Sequence, residues 1–183
     1  MLTTEQRLHL LRIARESIQA VLDGQHPEPA PPDEELRRPA GSFVTLTRGG
    51  ELRGCIGSIH PVAPLYQAVS ASAVNAAFRD PRFLPLRKEE LAEIEIEISV
   101  MGPIVPVVSF EEIVVGRDGL IVSRGRNAGL LLPQVATEYG WDRDTFLRQT
   151  CVKAGLPPES WKASECRIER FSAEVFNEQM AHQ

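Results

Sequence analysis

"LAEIEIEISVMG", residues 91–102, alternates between a branched apolar residue and a polar one from Glu93 to Val100. Successive side chains of a strand point to opposite faces. Ile94, Ile96, Ile98 and Val100 therefore share one face, and Glu93, Glu95, Glu97 and Ser99 the other. The pattern predicts a strand buried on its isoleucine face. Upstream, "APLYQAVSASAVNAAF" (63–78) predicts a helix whose small residues permit close packing. Before it, "SFVTLT" (42–47) and "ELRGCIG" (51–57) flank Arg48-Gly49-Gly50, which predicts a hairpin with a glycine turn. A first helix runs through "EQRLHLLRIARESIQAVLD" (5–23), with Leu8, Leu11, Ala14 and Ile18 at helical spacing. Thr3 or Thr4 caps it, and Gly24 ends it. Five prolines between Pro27 and Pro39 make residues 25–40 a proline-rich arm.

Downstream, "FEEIVVG" and "GLIVSRG" flank Arg117-Asp118-Gly119 as a second pair of strands, and "AGLLLP" reads as a short buried strand. "QVATEYG" is a short helix stopped by Gly140. "DTFLRQTCVKAG" is a longer one capped by Asp142 or Asp144, and "CRIERFSAEVFNE" forms one long strand or two short ones. Strands and helices alternate without a regular βαβ rhythm, which makes the expected class α+β.

With 183 residues, 43% hydrophobic and 25% charged, the chain has the composition of one globular domain, or of two small subdomains sharing a core. "MLTTEQRLHL" lacks the basic and apolar regions of a signal peptide. No apolar run approaches the roughly 18 residues of a membrane span, so no membrane partner is expected. Cys55, Cys151 and Cys166 include no CxxC pair, which argues for a reducing, cytoplasmic setting and against a disulfide framework or structural zinc. A net charge of −5 excludes a wholesale nucleic-acid coat. Residues 37–88 nevertheless hold seven arginines and one lysine against Glu51 and Asp80. That block either faces an anionic ligand or pairs with acids elsewhere in the fold.

Motifs for phosphate loops, dinucleotide folds, metalloproteases and nucleophile elbows are absent, so no cofactor is assigned. His9, His26, His60 and His182 make no metal-ligand pattern. The chemistry concentrates in "GGELRGCIGSIHP" (49–61). An extended Leu52–Gly57 places Leu52 and Ile56 toward the core with Gly54 between them, and Arg53 and Cys55 on the other face. Glycines let another backbone or a ligand come close, and a guanidinium nearby favours a thiolate. The stretch is therefore either an activated cysteine with an anion cradle or a half-buried thiol beside a structural arginine. "FRDPRF" (78–83) holds Asp80 and Arg82 in an irregular turn, suited to bidentate anion contact or to stapling a helix end. If Glu95 and Glu97 face Arg53 and Arg82, the groups suffice for acid–base chemistry.

"GSFVTLTRGGELRGCIGSIHP", "NAAFRDPRFLPLRKEELAEIEIEISVMGP", "VGRDGLIVSRGRNAGLLLPQVATEYGWD" and "CVKAGLPPESW" resemble, in order, the blocks of the AMMECR-type domain. Prokaryotic members of that family are called AmmeMemoRadiSam system protein A. The resemblance spans residues 5–178, with the proline-rich arm inside it. It implies two unequal subdomains, expected as mixed sheets flanked by helices, with the signature hairpin lining a cleft between them. It also implies a modification pathway shared with a Memo-like protein and a radical SAM protein as partners. By block, Arg53, Gly54, Cys55 and Gly57 belong to the signature, Asp80 and Arg82 to the DPRF turn, Glu95, Glu97 and Ser99 to the acidic strand, and Gln134 to the LLPQ block. The expected catalytic residues are Cys55, Glu95 and Glu97. Arg53, Gly54, Gly57, Asp80, Arg82, Ser99 and Gln134 are expected to bind an anionic small molecule or RNA, with no metal. Alternatives are a non-catalytic nucleotide, RNA or peptide module, and an assembly partner of a radical SAM enzyme. Pairing of the terminal strands between chains would give a homodimer.

Overall fold

Gly49 and Gly50 take φ of 58° and 82°, the left-handed pair that a two-residue hairpin turn requires. They join β1 (Ser42–Arg48) to β2 (Glu51–Ser58), and β3 (Ile94–Met101) pairs with the other side of β1. These elements come from a computed structural model that describes residues 1–30 and 33–179. Pro31 and Pro32 of the arm, and His182, lie outside the described residues. The chain divides into two compact units, Met1–Met101 with Glu174–Gln183, and Gly102–Ala173. The fold is α+β.

In the first unit, α1 (Thr4–Leu22) and α2 (Leu65–Phe78) pack with the isoleucine face of β3. Ile94, Ile96 and Ile98 are buried there with Val44, Leu46, Leu10, Ile18 and Val69, while Glu95 is exposed. Thr3 caps α1 in a capping box with Gln6, and Gly24 follows at φ 73°. Leu8 does not join the core and lies exposed, while the expected Leu11, Ala14 and Ile18 are buried with Leu10, Ile13 and Ser17. Arg15 ties α1 to the end of the chain. Its Nε and Nη2 reach Glu178 at 2.6 and 2.7 Å, and its remaining contacts go to the carbonyls of Leu91 and Ile94. Glu178 in turn receives the Ile96 N–H at 3.0 Å, so the clamp joins the sheet ladder. The arm is held at Leu36, which is buried, with Asp33 accepting the Leu36 N–H.

The second unit contains β4 (Val105–Pro106), β5 (Asp118–Arg124), β6 (Asn127–Leu131), α3 (Pro133–Glu138), α4 (Arg143–Lys153) and most of β7 (Arg167–Asn177). Here β5 pairs with β6 on one side and β7 on the other, and β4 also pairs with β7. Phe146, Leu147, Cys151, Leu120 and Val122 form its core. Asp142 caps α4, accepting the Thr145 N–H at 2.8 Å. "CRIERFSAEVFNE" yields the single long strand β7.

Three local expectations change. Each pairing described between named strands is antiparallel rather than part of a mixed sheet. "FEEIVVG" is a turn of 3₁₀ helix and a loop instead of a strand. The buried Asp118 carboxylate folds that loop back by accepting the Val114 N–H and a guanidinium fork from Arg117. β6 is only half-buried, at the edge of its sheet.

Candidate functional site

β1 and β2 slip register between Leu46 and Thr47: Leu46 faces Gly54 while Thr47 faces Leu52. Arg53 is thus the extra residue of a bulge. One extra residue flips every side chain on its far side. Leu52 accordingly lies 43% exposed rather than in the core, on the same face as Cys55. Three rungs cross that face. Cys55 stands opposite Thr45, and Thr45 opposite Glu97; Gly57, Phe43 and Ser99 make the next rung, and Leu52, Thr47 and Glu95 the one before. Alternation along the strands therefore does bring Cys55, Gly57, Glu95, Glu97 and Ser99 to one face.

Across the central rung, the Thr45 hydroxyl donates to Cys55 Sγ at 3.2 Å. The Cys55 N–H points off the edge of the sheet, where Asp80 Oδ2 accepts it at 2.9 Å in place of a further strand. Asp80 is buried and carries a guanidinium fork from Arg82, with Nε at 3.0 Å and Nη2 at 2.7 Å. The Arg82 fork, with N–H groups from Cys55 and Arg82 itself, holds the Asp80 carboxyl well below the usual carboxylate range. The Arg82 side chain stays 54% exposed, with Nη2 at 3.4 Å from the Cys55 carbonyl. "DPR" is thus a staple that also fixes the backbone of the cysteine.

Arg53 is taken up by Glu90. Its Nε and Nη2 clasp Glu90 at 3.0 and 3.1 Å, Nη2 also reaches the Leu84 carbonyl, and Phe83 packs against the guanidinium. Arg53 and Arg82 therefore meet Glu90 and Asp80. Arg48 joins Glu90 at 3.2 Å, and the Glu90 carboxylate accepts the Arg87 N–H. Part of the basic block is thus paired inside the unit. Sequence reasoning missed Glu90, because nothing in "RKEEL" distinguishes a buried glutamate from its solvated neighbour.

The glycines of the signature admit the protein's own backbone. A Cβ on Gly54 would overlap the Ala76 carbonyl of α2, and one on Gly57 would overlap Ser42 and Phe43 of β1. Gly54→Ala is expected to lower stability by about 1–3 kcal/mol in urea unfolding, since a carbonyl in a helix cannot rotate aside. An unchanged midpoint would mean that α2 shifts freely against β2. Gln134 is the second residue of α3 in the other unit, where its Oε1 is buried without a hydrogen-bond partner among the described residues. Among those residues no group of three or more His, Cys, Asp or Glu could hold a metal ion, and no helix is long and apolar enough to cross a membrane.

The family model described as AMMECR1 matches residues 11–176. A protein of Methanothermobacter thermautotrophicus is 45% identical over 97% of this chain and 96% of its own length. A protein of Methanopyrus kandleri is also 45% identical, over 97% of this chain and 91% of its own. The crystal structure of an uncharacterised protein from Pyrococcus horikoshii superposes with a TM-score of 0.85 at 42% identity, covering 93% of this chain and 90% of that one.

Proposed function

The chain belongs to the AMMECR1 family, and from that premise we propose a cytoplasmic enzyme or enzyme component whose reacting group is the Cys55 thiol. One observation carries this: Cys55 Sγ accepts a hydrogen bond from Thr45 at 3.2 Å, on a rung that continues to Glu97. A hydroxyl donor aimed at sulfur orients it toward an incoming group. Glu97 is the carboxylate on the same rung, suited to proton transfer, and Glu95 lies one rung away. The exposed half of Arg82 supplies positive charge for an anionic substrate, whereas Arg53 is taken up by its pairing with Glu90. The family resemblance supports a shared modification pathway with Memo-like and radical SAM partners.

The internal pairing of Arg53 with Glu90 favours a second reading. In it the signature is a rigid assembly surface for such a partner, and the cysteine does no chemistry.

Alkylation of the folded protein with iodoacetamide, followed by mass spectrometry, separates the two. Burial pushes both the Cys151 and the Cys166 thiols up from their ordinary range, and Cys151 is fully buried. Cys55 is expected to react first, at least about tenfold faster than either, and Thr45→Val to slow it. Protection of Cys55 until denaturant is added would discard the thiol chemistry and leave assembly.

A further inference from the structure

On the opposite face of the hairpin from Cys55, a cavity of about 430 Å³ opens between α2 and the ends of β1 and β2. That volume is in the range of small-ligand sites. At its inner wall stands Ser42, only 1% exposed, whose hydroxyl has no hydrogen-bond partner among the described residues. A buried hydroxyl left unpaired is costly, so a partner entering the cavity gains by satisfying it.

The rest of the lining defines that partner. It contains no Asp, Glu, Lys or Arg, and its one titratable side chain is the exposed His60, so a formal charge entering beside the buried Ser42 would be desolvated without compensation. Ile56, Val62, Ala68 and Ala71 supply an apolar wall. Gln67 and Asn75, two turns apart on α2, supply amides at the rim. Gln67 uses an N–H on the Tyr66 hydroxyl, and Asn75 Oδ1 faces Arg79 at 3.4 Å. The Gln67 carbonyl oxygen and the Asn75 N–H groups remain as an acceptor and a donor at separate points of the rim, eight residues apart on α2. The Ser42 hydroxyl can act as either.

We propose that this cavity binds a small uncharged molecule with a carboxamide or cyclic-amide edge, its apolar body against the alanines of α2 and its amide edge toward Ser42. The cavity shares Gly57 with the Cys55 face but does not depend on Cys55 chemistry.

The test is a ligand-observed NMR titration of the whole chain at about pH 8, above the ordinary imidazole range. Nicotinamide and uracil are compared with nicotinate and orotate, which keep the rings and add a carboxylate. The neutral pair is expected to bind at roughly 1 mM or tighter, and the acids at least about tenfold more weakly. Ser42→Ala should weaken the neutral ligands about tenfold. Ala71→Leu, at an exposed helix position, should abolish binding with the melting temperature retained. Failure of both neutral ligands to bind, equal binding of the acids, or binding that survives Ala71→Leu would overturn the assignment.

Discussion

Replacing Glu90 with Gln is expected to cost about 3–5 kcal/mol, the usual effect of removing one partner from a buried ion pair. Glu90 is 5% exposed and the Arg53 side chain 14%, so the variant leaves a guanidinium buried without its countercharge. The same pair governs acid stability. The Arg53 hydrogen bonds come first, with the Arg87 N–H and the charges of Arg53 and Arg48 adding, and together against burial they bring the Glu90 carboxyl down to about 2. A carboxyl depressed on folding contributes stability that is fully present above its unfolded value. That stability is lost as pH falls toward the folded one. Wild type should therefore lose on the order of 3 kcal/mol from this group between about pH 5 and pH 2. Asp80 acts in the same direction. Urea unfolding across that range measures both effects. Glu90→Gln should flatten the acid limb, and an equally steep limb in the variant would assign acid sensitivity to other carboxylates.

Ile96→Ala carries the second large effect, about 2–5 kcal/mol in the same unfolding experiment. Ile96 is 0% exposed, pairs across the ladder with Leu46, and sits in the cluster that α1 and α2 cover. Glu95→Ala, one residue away on the other face, should stay within about 0.5 kcal/mol. A loss below about 1 kcal/mol for Ile96→Ala would mean that the strand faces the other way.

The contrast between those neighbours was legible in the sequence, because a period of two with burial on one face leaves no other arrangement for β3. The Gly49-Gly50 turn was legible too, since few other residues tolerate its backbone. The bulge at Arg53 was not. A one-residue slip leaves composition and hydrophobicity untouched, yet it put Leu52 on the Cys55 face and turned Arg53 toward Glu90. Ion-pair partners escaped for a related reason: charge pattern shows how many arginines need acids but not which acids the fold brings near. For the site, alternation set Glu95, Glu97 and Ser99 on one face of β3, and only the family resemblance joined that face to Cys55. The service of Asp80 to the Cys55 backbone depends on how the segment after α2 returns to the edge of the sheet. Gln134 belongs to the other unit, and its sequence block carries no sign of that division.

The first unit is discontinuous: the chain leaves it at Met101 and re-enters at Glu174. Phe176 is buried in its core, and Glu178 is the residue that Arg15 clamps. On the ribosome, α1, α2 and the β1–β2–β3 sheet thus emerge early but lack their last core side chain and their clamp. The intervening segment must first be synthesised, which takes several seconds at roughly 5–20 residues per second. The unit that begins first is completed last, and during that interval its apolar surface is open to chaperones and proteases.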